Sequence, residues 1–225
     1  MYPLLKTTFL IVSALFPIVN PLGTAPIFLS LTQYYSNSDR MMLARRIALN
    51  SFVLLIASYL TGTHILAFFG ISLPVVQVGG GLIVAATGWS MLRQSSSEDE
   101  TRQGVNRTVD RRDLFDKAFY PLTLPLTVGP GSISVAITLG ANEPHTEHLI
   151  IYSIIGALIG SLLIAFSVFL CYGFADRLAE ALGTTAMSVI MRLSSFLLVC
   201  IGVQIVWNGL SSLLRNLHPI VVPLQ

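Results

Sequence analysis

The chain has 225 residues with only 13 basic and 11 acidic side chains, a charged share of 11% against about 25% for a soluble domain. Apolar residues make up 53% and the mean hydropathy is +0.74, so the chain could not cover its own surface in water. Disorder is excluded by the hydrophobicity, a nucleic-acid binder by a net charge of +2 with no basic face, and a disulfide scaffold by two cysteines, Cys171 and Cys200, both in apolar runs.

An integral membrane protein remains. No Asp, Glu, Lys or Arg occurs in residues 7–38, 47–92, 118–142, 148–175 or 193–214, and a helix needs about 20 apolar residues to cross a bilayer. The run 47–92 is long enough for two spans and divides at Gly70-Ile-Ser-Leu-Pro74. Six spans are therefore predicted, at 8–31, 47–69, 73–92, 119–140, 149–174 and 188–214. The first follows Lys6 as a signal peptide would, but its apolar run continues past Asn20-Pro21 to Leu31 with no cleavage pattern, so it is read as a retained span.

Ten of the 13 basic residues fall in the loops after spans 1, 3 and 5, and only Lys6 and Arg215 on the other side. By the positive-inside rule both termini face the periplasmic side. The segment 94–117, with six acids, four arginines and a lysine among its residues, reads as a solvated cytoplasmic linker and carries no site.

The linker separates residues 1–93 from 118–225, and the two parts resemble each other. Phe16-Pro-Ile-Val-Asn20-Pro21-Leu-Gly23-Thr24-Ala-Pro26 aligns with Tyr120-Pro-Leu-Thr-Leu124-Pro125-Leu-Thr127-Val-Gly129-Pro130, with three prolines in register. Gln77-Val-Gly-Gly-Gly-Leu-Ile-Val84 aligns with Arg192-Leu-Ser-Ser-Phe-Leu-Leu-Val199. Three spans is an odd number, so the second copy enters the membrane inverted. The predicted fold is an all-α membrane protein of six transmembrane helices in two inverted three-helix repeats. Secondary transporters with this plan place their substrate at the repeat interface.

Proline removes a backbone donor and breaks a helix, and in lipid the freed carbonyls must find partners or line a cavity. Spans 1 and 4 are therefore predicted to break at Asn20–Pro26 and around Pro125-Leu-Thr127-Val-Gly129-Pro-Gly131-Ser132. Half-helix N-termini suit a carboxylate. The substrate-binding candidates are Asn20, Pro21, Gly23, Thr24, Thr127, Gly129, Gly131 and Ser132, the glycines letting a ligand reach the backbone. Arg192 is the one formal charge inside a predicted span, and with its repeat counterpart Gln77 it is a candidate gate or charge partner. Gly79–Gly81, Gly88, Gly156 and Gly160 read as close-packing positions between helices. No phosphate-binding loop, no intramembrane carboxylate and no His/Cys ligand cluster is present in the sequence. No metal, cofactor or enzymatic activity is expected.

These motifs resemble the MarC family of bacterial inner-membrane proteins. Asn20-Pro-Leu-Gly23, Gly70-Ile-Ser-Leu-Pro74, Gly79-Gly-Gly-Leu-Ile-Val84, Pro125-Leu-Thr-Val-Gly-Pro-Gly-Ser-Ile133 and Arg192 carry the likeness, together with Phe196-Leu-Leu-Val-Cys-Ile-Gly-Val-Gln204 and Asn208-Gly209. It covers the chain apart from the linker and the tail after Arg215. The resemblance implies six transmembrane helices in the bacterial inner membrane and, from some relatives, transport of small neutral amino acids such as glycine and alanine. Gln77 stands where the family usually has Arg, and Ser194-Ser195 replace a Met-Gly pair.

The expected function is secondary transport or export of a small zwitterionic solute, the expected partners being the lipid bilayer, that solute and a coupling ion, with no nucleic acid. The alternative is a non-transporting multi-pass protein with an assembly or stress role and a closed interior. A passive channel would need a continuous polar path that the apolar spans lack. Substrate identity, direction and oligomeric state are not encoded legibly.

Overall fold

A computed structural model describes residues 2–94, 117–142 and 147–217. The linker read at 94–117 lies, but for its two ends, outside the described residues. Among the described residues all regular structure is helical. The helices are α1 (Tyr2–Val19), α2 (Pro21–Leu31), α3 (Asn37–Phe68), α4 (Leu73–Gln94), α5 (Pro130–Ala141), α6 (Glu147–Gly173) and α7 (Ala175–Leu217), with a loosely wound segment at Ala118–Thr127 before α5. Five stretches are long and apolar enough to cross a membrane: Leu4–Leu31, Asn37–Phe68, Leu73–Arg93, Ile150–Gly173 and Thr185–Arg215. Ala118–Thr127 and α5, bent by 68° against each other, make a sixth if they count as one span.

Local chemistry sets the helix boundaries. Ser36 caps α3, accepting from the Asp39 amide at 3.2 Å, and Asp39 adds a negative charge to the first turn. Gly70, at φ 67°, ends the turn after α3 in a conformation that costs glycine nothing. Gly183, at φ 72°, breaks α7 early, so the membrane-length part begins at Thr185.

The helices pack chiefly across the linker rather than within one side of it. α4 lies along α7, α1 and α3 lie on α6, α3 and α4 lie on α5, and α2 touches α7. Small residues allow the close approaches. A Cβ on Gly81 would come within 2.7 Å of the Gly202 carbonyl, and one on Gly88 within 2.8 Å of the Ser195 carbonyl. Gly156 sits on Thr7 and Gly160 on Ile11, joining α6 to α1. Gly79 differs from its neighbours, since it faces open space.

The core gathers Ile11, Leu15, Val19, Phe28, Leu43, Ile47, Leu55, Ile164, Val168 and Tyr172. Large apolar side chains also cover the outside, among them Phe9, Val53, Leu162, Phe166, Phe196 and Trp207. Water would not tolerate so continuous an apolar exterior; lipid requires it.

Gly81→Ala is expected to cost about 1–3 kcal/mol by overpacking backbone against backbone. Gly79→Ala should be neutral or stabilise by up to about 1 kcal/mol through helix propensity. Thermal unfolding of the two purified variants in detergent checks the contrast.

Candidate functional site

The site is built from what the prolines take away. Pro21 offers no N–H to the turn before it, and α1 ends at Val19. Asn20 adopts a left-handed conformation, φ 47° and ψ 56°, which asparagine tolerates better than most residues. Its amide still bonds the Phe16 carbonyl at 2.9 Å and its carbonyl accepts from the Thr24 amide at 3.0 Å, so the ladder resumes at once. Its side-chain Oδ1 accepts from the Gly23 amide at 3.1 Å, capping α2. Asn20 Nδ2 is buried and has no acceptor, a costly state for an amide in an apolar interior.

The second motif is looser. Pro121 and Pro125 follow cis peptide bonds, and Tyr120 and Leu124 are extended. Two threonine hydroxyls add side-chain donors to this segment. Thr123 Oγ1 donates to the Ala118 carbonyl at 2.6 Å and Thr127 Oγ1 to the Leu122 carbonyl at 2.7 Å. Asn50 of α3 reaches Thr123 Oγ1 at 3.4 Å. Gly129 then leads into α5, whose first residue is Pro130, a position where the missing N–H is no loss. Ser132 Oγ donates back to the Gly129 carbonyl at 2.9 Å.

The two motifs meet at Tyr172, near the end of α6. Its ring stacks on Phe28 of α2 with centroids 4.6 Å apart and planes at 10°. Its hydroxyl donates to Thr24 Oγ1 at 2.9 Å and lies 3.0 Å from Thr127 Oγ1. All three side chains are buried. The polar chain runs from the Asn20 carbonyl to Thr24, Tyr172, Thr127 and the Leu122 carbonyl. That makes four oxygen–oxygen contacts. Each hydroxyl carries one hydrogen and carbonyls only accept, so the chain is one hydrogen short.

Beside this junction lies a cavity of about 90 Å³. Thr127, Gly129, Gly131 and Ser132 form its polar edge, with Thr87 of α4; Ile18, Val84 and Leu198 are among its apolar lining. No charged side chain lines it.

The structure thus brings Thr127, Gly129, Gly131 and Ser132 to one cavity, and Thr24 to the same junction through Tyr172. Asn20, Pro21 and Gly23 lie where α1 passes into α2 and do not line the cavity. Two glycines make room for protein. A Cβ on Gly23 would collide with the Asn20 amide, and one on Gly131 with Val84. Gly129 is more open, its nearest neighbour being the Pro125 carbonyl at 3.1 Å from such a Cβ. Gln77 and Arg192 are not brought together. Gln77 packs on Gly209, seventeen residues along α7 from Arg192, which is about 25 Å at 1.5 Å per residue. Arg192 is exposed.

Tyr172 is the residue that sequence reasoning missed. In an apolar run close to a span end, a tyrosine reads as an interfacial aromatic, and nothing local in the sequence ties it to threonines 45 and 148 residues away.

Tyr172→Phe leaves two hydrogens for two contacts and keeps the ring stack, so it should cost less than about 1 kcal/mol. Thr127→Val deprives the Leu122 carbonyl of its hydroxyl donor and should cost about 1–3 kcal/mol. Denaturant unfolding of both variants compares them; the reverse order would contradict the hydrogen count.

Comparison with known proteins completes the picture. Residues 5–214 match the family described as MarC family integral membrane protein. The chain is 30% identical over 221 residues to the UPF0056 inner membrane protein MarC of Salmonella typhimurium (strain LT2), covering 97% of this chain and 100% of that protein. It is 30% identical over 222 residues to the protein of the same name from Citrobacter koseri, with the same coverage. It is 28% identical over 200 residues to the UPF0056 membrane protein YvbG of Bacillus subtilis (strain 168), covering 89% of this chain and 92% of the other. No solved structure matches.

Proposed function

Starting from the fact that the chain belongs to the MarC family of integral membrane proteins, we propose that it is a secondary transporter or exporter of a small neutral amino acid. The observation that carries this reading is the junction of the two proline motifs through Tyr172, with a small uncharged cavity beside it. A cavity of about 90 Å³ holds only a few waters at about 30 Å³ each, and is far below the roughly 300–1,000 Å³ of drug-sized pockets. It fits a solute of a few heavy atoms.

The lining favours a zwitterion. The amides of Gly131 and Ser132 open α5 and present the positive end of its dipole to a carboxylate. Thr127 and the carbonyls at the breaks offer acceptors to an ammonium group or a coupling ion. An ion of net charge would find no counter-charge in the lining.

Residues 1–93 and 118–225 act as two inverted repeats joined by the linker, and spans 1 and 4 as broken helices. Support comes from the pairings. Exchanging the two sides turns α2 on α7 into α5 on α4, and returns α4 on α7 to itself. Val84 and Val199, counterparts in the sequence alignment, both lie at the α4–α7 crossing, where Gly88 packs on Ser195 and Val199. The two repeats rock around the junction to expose it alternately. Gln77 and Arg192 then occupy equivalent places at opposite ends of the crossing, where each acts on one gate. Both termini face the periplasm, a reading supported by the ten basic residues in the loops of the other side.

One observation favours the non-transporting alternative: Thr24, Thr127 and Tyr172 spend their hydroxyls on one another and on the Asn20 and Leu122 carbonyls, as a closed interior would. Uptake of labelled glycine, alanine and serine into proteoliposomes separates the two readings. Transport should fall about tenfold in Ser132→Ala, the loss of one hydrogen bond of about 1.4 kcal/mol. A folded protein that moves none of the three overturns the transport reading. A C-terminal reporter active only outside the cytoplasm should be active.

A further inference from the structure

A second cavity lies on the outer face, away from the proline motifs. It is a groove of about 480 Å³ between α3 and α6. On α3 its lining is Arg45, Ala48, Leu49 and Phe52; on α6 it is Leu162, Ala165, Phe166 and Phe169. Both sets follow the i, i+3, i+4, i+7 spacing of one helix face, and each runs about 10 Å along its helix. The two alanines are buried and form a floor, while Leu49, Leu162 and Phe166 stand 55–62% exposed as walls. Small residues below and bulky ones beside make a slot the width of a chain.

The slot has one charged end. The charge-free part of α3 begins at Ile47, and from there to Phe68 it spans about 33 Å, the thickness of a bilayer's hydrocarbon core. Arg45 therefore stands at headgroup level, directly above a slot that descends into hydrocarbon. Arg40 nearby is paired with Asp176; among the described residues no carboxylate pairs with Arg45. A guanidinium at headgroup level matches a phosphate with two parallel hydrogen bonds.

We propose that this groove is a binding site for an anionic phospholipid, one acyl chain lying between α3 and α6 and the headgroup phosphate on Arg45. A zwitterionic lipid fills the slot equally well but carries its own cation beside the phosphate, so the preference is for the anionic class. This rests on the membrane fold alone and not on the transport reading.

The test is native mass spectrometry of the purified full chain, released from micelles doped with equal amounts of dioleoyl-phosphatidylglycerol and dioleoyl-phosphatidylcholine. Bound phosphatidylglycerol should exceed phosphatidylcholine about fivefold, the effect of about 1 kcal/mol from one basic side chain at the surface. Arg45→Gln should abolish the preference and Arg46→Gln, at a residue outside the groove, should keep it. Ala48→Leu, which fills the floor with Arg45 intact, should reduce retention of both lipids. Equal retention by the unaltered protein, a preference that survives Arg45→Gln, or retention unchanged by Ala48→Leu in folded protein overturns the site.

Discussion

In an apolar medium every backbone carbonyl that a proline leaves without a donor must be satisfied from within the protein. Much of this structure follows from that constraint. The first motif meets it with the left-handed turn at Asn20, which restarts the ladder after a single residue. In the second, where two prolines follow one another closely, threonine hydroxyls add bonds to carbonyls five residues back. Replacing either threonine by an aliphatic residue of the same shape removes a buried hydroxyl donor. The polar atoms at the centre of an otherwise apolar bundle are thus there first because the backbone demands them, and a solute site can use what the backbone has already required.

The same constraint explains how much was legible beforehand. Charge-free runs located the spans because charges are excluded from hydrocarbon; the turn at Gly70-Ile-Ser-Leu-Pro74 and the α7 helix carrying Arg192 fall where hydropathy placed them. The Pro/Gly motifs were visible because proline's effect is local. What escaped was everything set by distant contact. Tyr172 sits in an apolar run, and its partners lie on other helices. Gly23 and Gly131 looked like ligand approaches; their space is taken by the Asn20 amide and Val84, choices that only the packed helices determine. The separation of Gln77 from Arg192 depends on the register of α4 on α7, which spacing within either helix does not contain.

Burial and exposure divide the chemistry of this bundle in two. The interior offers a small uncharged cavity edged by hydroxyls and amides, while the cations stand at the membrane edges. Specificity inside must come from shape and hydrogen bonding; specificity outside comes from charge at headgroup level. Between them stand α3 and α6, whose inner faces join the core and whose outer faces form the lipid-facing slot.

The pairing of helices across the linker has a consequence for synthesis. Because α1, α3 and α4 find their principal partners on α5, α6 and α7, the first three spans to leave the ribosome have little to pack against. α1 and α3 gain their partners as α5 and α6 insert, and the glycine face of α4 stays open until α7, the last span, is in place. Assembly is then a late, collective step. A chain stalled before α7 lacks the helix that packs along α4.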